Sequence, residues 1–148
     1  MRRPAVLAST LFAAAVLALG ALPSAVKAQT HADLVWRQLN NHFERESRDG
    51  YGSRNYIIGR MADDASDTWT ITLNGSSTYR IIGACDADCT DLDIEVYEGE
   101  KVIVRDVLVD DVPIVTFNVA STTSIKIKVI MAACSSNPCF FGIGIFYK

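Results

Sequence analysis

Residues 83–99 read GACDADCTDLDIEVYEG, and their last half fixes the kind of fold. From Asp91 to Tyr97 the residues alternate, with Leu92, Ile94 and Val96 on one side and Asp91, Asp93, Glu95 and Tyr97 on the other. A period of two is the signature of a strand with one face in a core and one in water. Just upstream, Cys85 and Cys89 bracket Asp86 and Asp88, so a short acidic loop is expected to be stapled where the chain enters this strand.

Outward from that strand, the pattern after Gly50 is β throughout. Strands are expected over 56–62, 67–73, 78–84, 91–97, 101–105, 113–119, 124–131 and 140–147. Eight short strands separated by turns predict an antiparallel β-sandwich over 51–148. Trp69, Ile71 and Leu73 share one face, as do Ile125, Ile127, Val129 and Met131, with Lys126 and Lys128 turned away. Phe141, Ile143 and Ile145 form another core face, and Gly142 and Gly144 leave its reverse side thin enough for a neighbouring segment to approach closely. Leu73-Asn74-Gly75-Ser76 predicts a tight hairpin, because Asn-Gly tolerates positive φ. The same residues fit the N-glycosylation pattern, but the turn reading is preferred in a chain with this kind of leader.

Before Gly50 the period changes to that of a helix. Val35, Trp36, Leu39 and Phe43 recur at helical spacing within 30–46, predicting one amphipathic helix in the segment 29–50, with Thr30 and Asp33 as a capping pair and Ser47-Arg48-Asp49-Gly50 as the stop. His31 and His42 lie on it and are expected to be solvated. Residues 1–28 carry the marks of an export signal: Arg2 and Arg3, an apolar run from Ala5 to Leu22, and small residues in Val26-Lys27-Ala28 before Gln29. The break at Pro23-Ser24 favours removal over a retained anchor, so no membrane association is expected after cleavage.

Removing that segment leaves 11 basic against 17 acidic residues on 120 positions, a formal charge of −6. Nucleic acid and anionic lipid are therefore poor partners. The expected compartment is periplasmic or secreted, where an even number of cysteines reads first as disulfides. Three pairings exist for Cys85, Cys89, Cys134 and Cys139, and the spacings favour two local loops, Cys85 with Cys89 and Cys134 with Cys139. Zinc is disfavoured because the spacing is not CxxC and no histidine lies nearby.

The stretch from Trp69 to Phe146 resembles the bacterial pre-peptidase C-terminal domain, through TITLNGSSTYRI, DLDIEVYEG, DDVPIVTFNV and IKIKVIM followed by a final apolar strand. That resemblance implies a jelly-roll-like β-sandwich, an ancillary role beside secreted peptidases and, in some members, bound calcium. Here a helix, rather than a peptidase domain, precedes the β region.

Calcium is the one cofactor with a candidate site. Asp86, Asp88, Asp91 and Asp93 are close in sequence, and Asp106, Asp110 and Asp111 join them if the loop before Pro113 folds back. Calcium requires six to eight converging oxygens, and the spacing is not that of an EF-hand. The competing reading is a solvated acidic face with turn-supporting aspartates.

A serine triad has no histidine near a Gly-x-Ser-x-Gly elbow, and paired cysteines leave no nucleophile. The chain is therefore read as non-catalytic. Two roles follow: a binding module for an extracytoplasmic protein or carbohydrate, or an interaction subunit that docks its helix on a partner. The first would gather Tyr51, Tyr56, Tyr97 or Tyr147 on one patch; the second would leave Trp36 and Phe43 uncovered.

Overall fold

The computed structural model of the chain describes residues 23–148. Its helix α1 (Pro23–Arg48) precedes eight strands: β1 (Gly52–Met61), β2 (Ser66–Leu73), β3 (Ser77–Cys85), β4 (Cys89–Glu98), β5 (Lys101–Asp106), β6 (Ile114–Val119), β7 (Thr123–Cys134) and β8 (Cys139–Tyr147). Every strand expected from the alternation is present. The export segment expected over 1–28 lies outside the described residues up to position 22, and the small residues before Gln29 fall within α1. Among the described residues no helix is long and apolar enough to cross a membrane.

The strands form two four-stranded antiparallel sheets, ordered β1-β8-β3-β6 and β2-β7-β4-β5. Apart from the β4–β5 hairpin, each connection carries the chain from one sheet to the other, so the two sheets of the sandwich are interleaved along the chain. The organising strand β4 pairs with β7 on one side and β5 on the other. Its Leu92, Ile94 and Val96 are fully buried, and meet Ile127, Val129 and Met131 of β7 and Phe141, Ile143 and Ile145 of β8 in one core.

This topology corrects the expected hairpin at Asn74-Gly75. Strands β2 and β3 lie in different sheets, so the turn between them is a crossover. The left-handed residue is Ser76, at φ 58°, whereas Gly75 is required by close approach: a Cβ there would stand 2.6 Å from the Ser121 Cα.

Helix α1 covers the outer face of β8. A Cβ at Gly142 would lie 2.7 Å from both Leu39 Cδ1 and Val35 Cγ1, so the glycine is what admits these two fully buried side chains. The buried stripe is Val35, Leu39, His42 and Glu46, rotated from the expected one; Trp36 is 40% exposed and Phe43 half-buried. Buried Glu46 is tolerated because Arg80 of β3 donates to its Oε2 at 2.8 Å, while the Arg80 guanidinium lies 4.5 Å from the Tyr51 ring centre. His42 is buried rather than solvated, and burial followed by the Arg45 charge holds its pKa below the usual histidine value.

Among the described residues α1 already runs from Pro23, so Thr30 and Asp33 lie inside the helix and do not cap its start. It ends as expected. Gly50, at φ +83°, donates to Ser47 O at 3.1 Å, and Tyr51 donates to Glu46 O at 2.9 Å, a Schellman closure.

Candidate functional site

Four connections meet at one end of the sandwich: 62–65, 86–88, 107–113 and 135–138. The cysteines form the two local bridges, Cys85–Cys89 and Cys134–Cys139. Hydrogen bonds then join the stapled loops to each other. Ser135 donates to the Asp88 carbonyl through both N–H and Oγ, each at 2.8 Å, and Cys134 N donates to Asp63 Oδ1 at 2.7 Å. Two short covalent loops bonded in this way make a stiff platform.

Asp86 is the internal anchor of that platform. Its residue is 2% exposed; Oδ2 accepts from Phe140 N at 2.9 Å and lies 2.8 Å from His31 Nδ1, while Oδ1 accepts from Asp88 N at 3.2 Å. Asp88 Oδ2 is 3.8 Å from the same histidine nitrogen. His31, expected to be solvated, thus ties α1 to the disulfide loop, reinforced by Gln38 Nε2 donating to Cys85 O at 3.0 Å.

The loop between β5 and β6 forms the other wall. Asp106 accepts from Leu108 N at 3.3 Å and from Ile114 N at 2.9 Å, and Asp110 Oδ1 accepts from Val112 N at 3.0 Å. Leu92 N of β4 donates to Asp110 O at 2.9 Å, fixing the loop to the sandwich. These bonds hold up a crest of three apolar residues, Val107, Leu108 and Val109, which are 46%, 68% and 86% exposed. Val102 and Ile103 of edge strand β5 and Ile114 of β6 are also exposed. Sequence reasoning missed the crest. Its signal is the run Val107-Leu108-Val109 between Asp106 and Asp110, too short and too closely flanked by acids to be another strand.

The six aspartates of the calcium reading do not come together. Asp86 and Asp88 face His31; Asp91, Asp93 and Asp110 gather with Asp106; Asp111 is exposed on the loop. Among the described residues no three His, Cys, Asp or Glu side chains converge as a set that could hold a metal ion. Both oxygens of Asp86 are engaged by neighbours within the chain.

The second group is electrostatically crowded. Partial burial, then the charges of Asp91, Glu95, Asp106 and Asp110, raise the Asp93 pKa. A raised carboxyl destabilises the fold once ionised, so its unfavourable effect grows as pH rises through the interval between its unfolded and folded values. Asp93→Asn is accordingly expected to raise Tm at pH 7, with the gain vanishing as pH falls below about 4. Thermal melts of both proteins across pH check this, and an equal gain at pH 3 would contradict it.

A groove of about 630 Å³ separates α1 from the crest loop, with Leu34 and Gln38 on one wall, Ala87 and Thr90 along its length, and Val109, Asp110 and Asp111 on the other wall. The tyrosines form no comparable patch. Tyr56 packs 5.3 Å from Trp36, Tyr51 sits beside Arg80 and Lys148, Tyr147 beside Tyr79, and Tyr97 beside Lys126 and Glu95. All four cysteines are bridged, leaving no free thiol.

No protein-family profile matches the chain. No curated protein matches it either. Among solved structures it is similar to PliG of Aeromonas hydrophila, a periplasmic lysozyme inhibitor of g-type lysozyme, with a TM-score of 0.50 and 12% identity over 68% of this chain and 90% of that one. At that identity the likeness is one of fold. The β-sandwich implied by the pre-peptidase resemblance stands, while membership of that family does not follow, and the two disulfides fit an extracytoplasmic protein.

Proposed function

We propose that this chain is an extracytoplasmic, non-catalytic protein-binding module that docks its disulfide-bearing end on a cationic protein. The observation that carries this reading is the crest: Val107, Leu108 and Val109 stand exposed on a loop held by Asp106 and Asp110, beside Asp91, Asp93 and Asp111. Contiguous exposed apolar surface marks an interaction site, and a loop already fixed by internal bonds loses little entropy on binding. The acidic surround selects the partner's charge. It steers a basic surface toward the crest and opposes pairing of two copies through the same end.

The likeness to a periplasmic lysozyme inhibitor supports the finer reading that the partner is a lysozyme and that docking inhibits it. Calorimetric titration of the oxidised protein with a g-type lysozyme tests both parts. A one-to-one complex is expected, weakening about a hundredfold with Leu108→Asp plus Val109→Asp and about tenfold between 50 and 300 mM salt. Absence of binding removes lysozyme as the partner. Binding that the double substitution leaves untouched overturns the crest as the docking surface.

The alternative in which α1 docks on a partner is weakened by its packing. Val35 and Leu39 are spent on Gly142 and Phe43 reaches Gly144, leaving Trp36 as the exposed part of the predicted stripe.

A further inference from the structure

We infer that the groove between α1 and the crest loop receives one arginine or lysine side chain of the docked protein; this rests on reading the disulfide-bearing end as the docking surface. Leu34, Ala87 and Val109 give the groove apolar walls, Asp110 and Asp111 give it carboxylates, and among the described residues no lysine or arginine lines it. An alkyl stem with a cationic head matches that arrangement, because the stem lies along the apolar walls while the head stays at the acidic mouth. A purely apolar plug would desolvate Asp110 and Asp111 without a counter-charge, and an anion would be repelled by them.

The polar groups are already sorted for this occupant. Asp86, at the base, is engaged by His31 and the Phe140 and Asp88 amides, so it does not compete for the incoming cation. Gln38 is held through its amide nitrogen by Cys85 O, which leaves its amide oxygen as an acceptor. Asp110 uses Oδ1 on Val112 N, leaving its second oxygen for a charge-assisted bond. The floor follows the Cys85–Cys89 loop, so the groove is held open before anything enters it.

The test is an amide-resolved NMR titration of the oxidised full chain with N-acetyl-arginine amide and N-acetyl-lysine amide, with N-acetyl-norleucine amide as the uncharged stem. The cationic probes are expected to give saturable shifts at Ala87, Thr90, Val109 and Asp111, and the norleucine probe none. Ala87→Lys, an exposed substitution that places a cation at the groove, is expected to weaken both cationic probes and the protein partner by about tenfold. Asp111→Asn should weaken them by about threefold. Non-saturating shifts, or equal shifts beside Glu100 and Ser121 at the opposite end of the sandwich, overturn the inference. So does a protein complex that Ala87→Lys leaves at full affinity while the crest substitutions abolish it; in that outcome the docking reading stands without the groove.

Discussion

Replacing Gly142 by leucine is expected to lift α1 from the sandwich and to reduce the unfolding free energy by about 3 kcal/mol. The first added carbon alone would stand 2.7 Å from Val35 Cγ1 and Leu39 Cδ1, both on fully buried residues. Valine is stiff at χ1 and has no longer arm to swing aside. The strand cannot retreat either, because Gly142 lies opposite Ile58 of β1 and Ala84 of β3 in the middle of its sheet. With the helix displaced, Glu46 loses its partner Arg80 and the His31 contact to Asp86 is broken. The readout is a Tm lower by about 10 °C together with a changed tryptophan emission, since Trp36 leaves Phe43 and Tyr56. An unchanged melt would mean that α1 does not use the glycine strip of β8.

The second large effect is expected at Asp86. Asp86→Ala removes a buried carboxylate and leaves the Phe140 and Asp88 amides without their acceptor. Each stranded donor costs about 1–3 kcal/mol, so a loss of about 4 kcal/mol is expected in urea unfolding. Asp86→Asn should fall between, because one oxygen remains and the new amide nitrogen faces existing donors. His31→Ala, which removes one hydrogen bond from a partly exposed ring, should cost about 1 kcal/mol. For scale, opening the Cys85–Cys89 loop should cost about 2 kcal/mol on the chain-entropy model, so the carboxylate would hold this corner more strongly than the disulfide does. A loss below 1 kcal/mol for Asp86→Ala would contradict that ranking.

These two sites show what the sequence could and could not reveal. The alternation of 91–97, 125–131 and 141–145 is local and survives in the structure as three core faces, because period two depends only on which side of one strand is wet. The disulfide pairing and the Gly50 stop were legible for the same reason, being contained within a few residues. The helix's orientation was not. Hydropathy placed Trp36 on the buried stripe, but the face is chosen by Gly142, more than a hundred positions away, which receives Val35 and Leu39, together with Arg80, which makes a buried Glu46 tolerable. Asn74-Gly75 signals a turn correctly yet says nothing about whether the strands it joins share a sheet. The aspartates were legible as a cluster in sequence, but not their placement, since the short loop between β3 and β4 sends Asp86 inward and Asp88 to a partly exposed position. Only the folded loop reveals that Leu108 and Val109 are raised rather than buried.

Amide hydrogen exchange on this protein, free and saturated with a cationic extracytoplasmic partner such as g-type lysozyme, tests the docking claim most directly. Protection is expected in 106–112 and 86–90, with the outer faces of β2 and β7 unchanged. Protection confined to the β2 and β7 face, or to α1 around Trp36, with the crest exchanging as in the free protein, would contradict it.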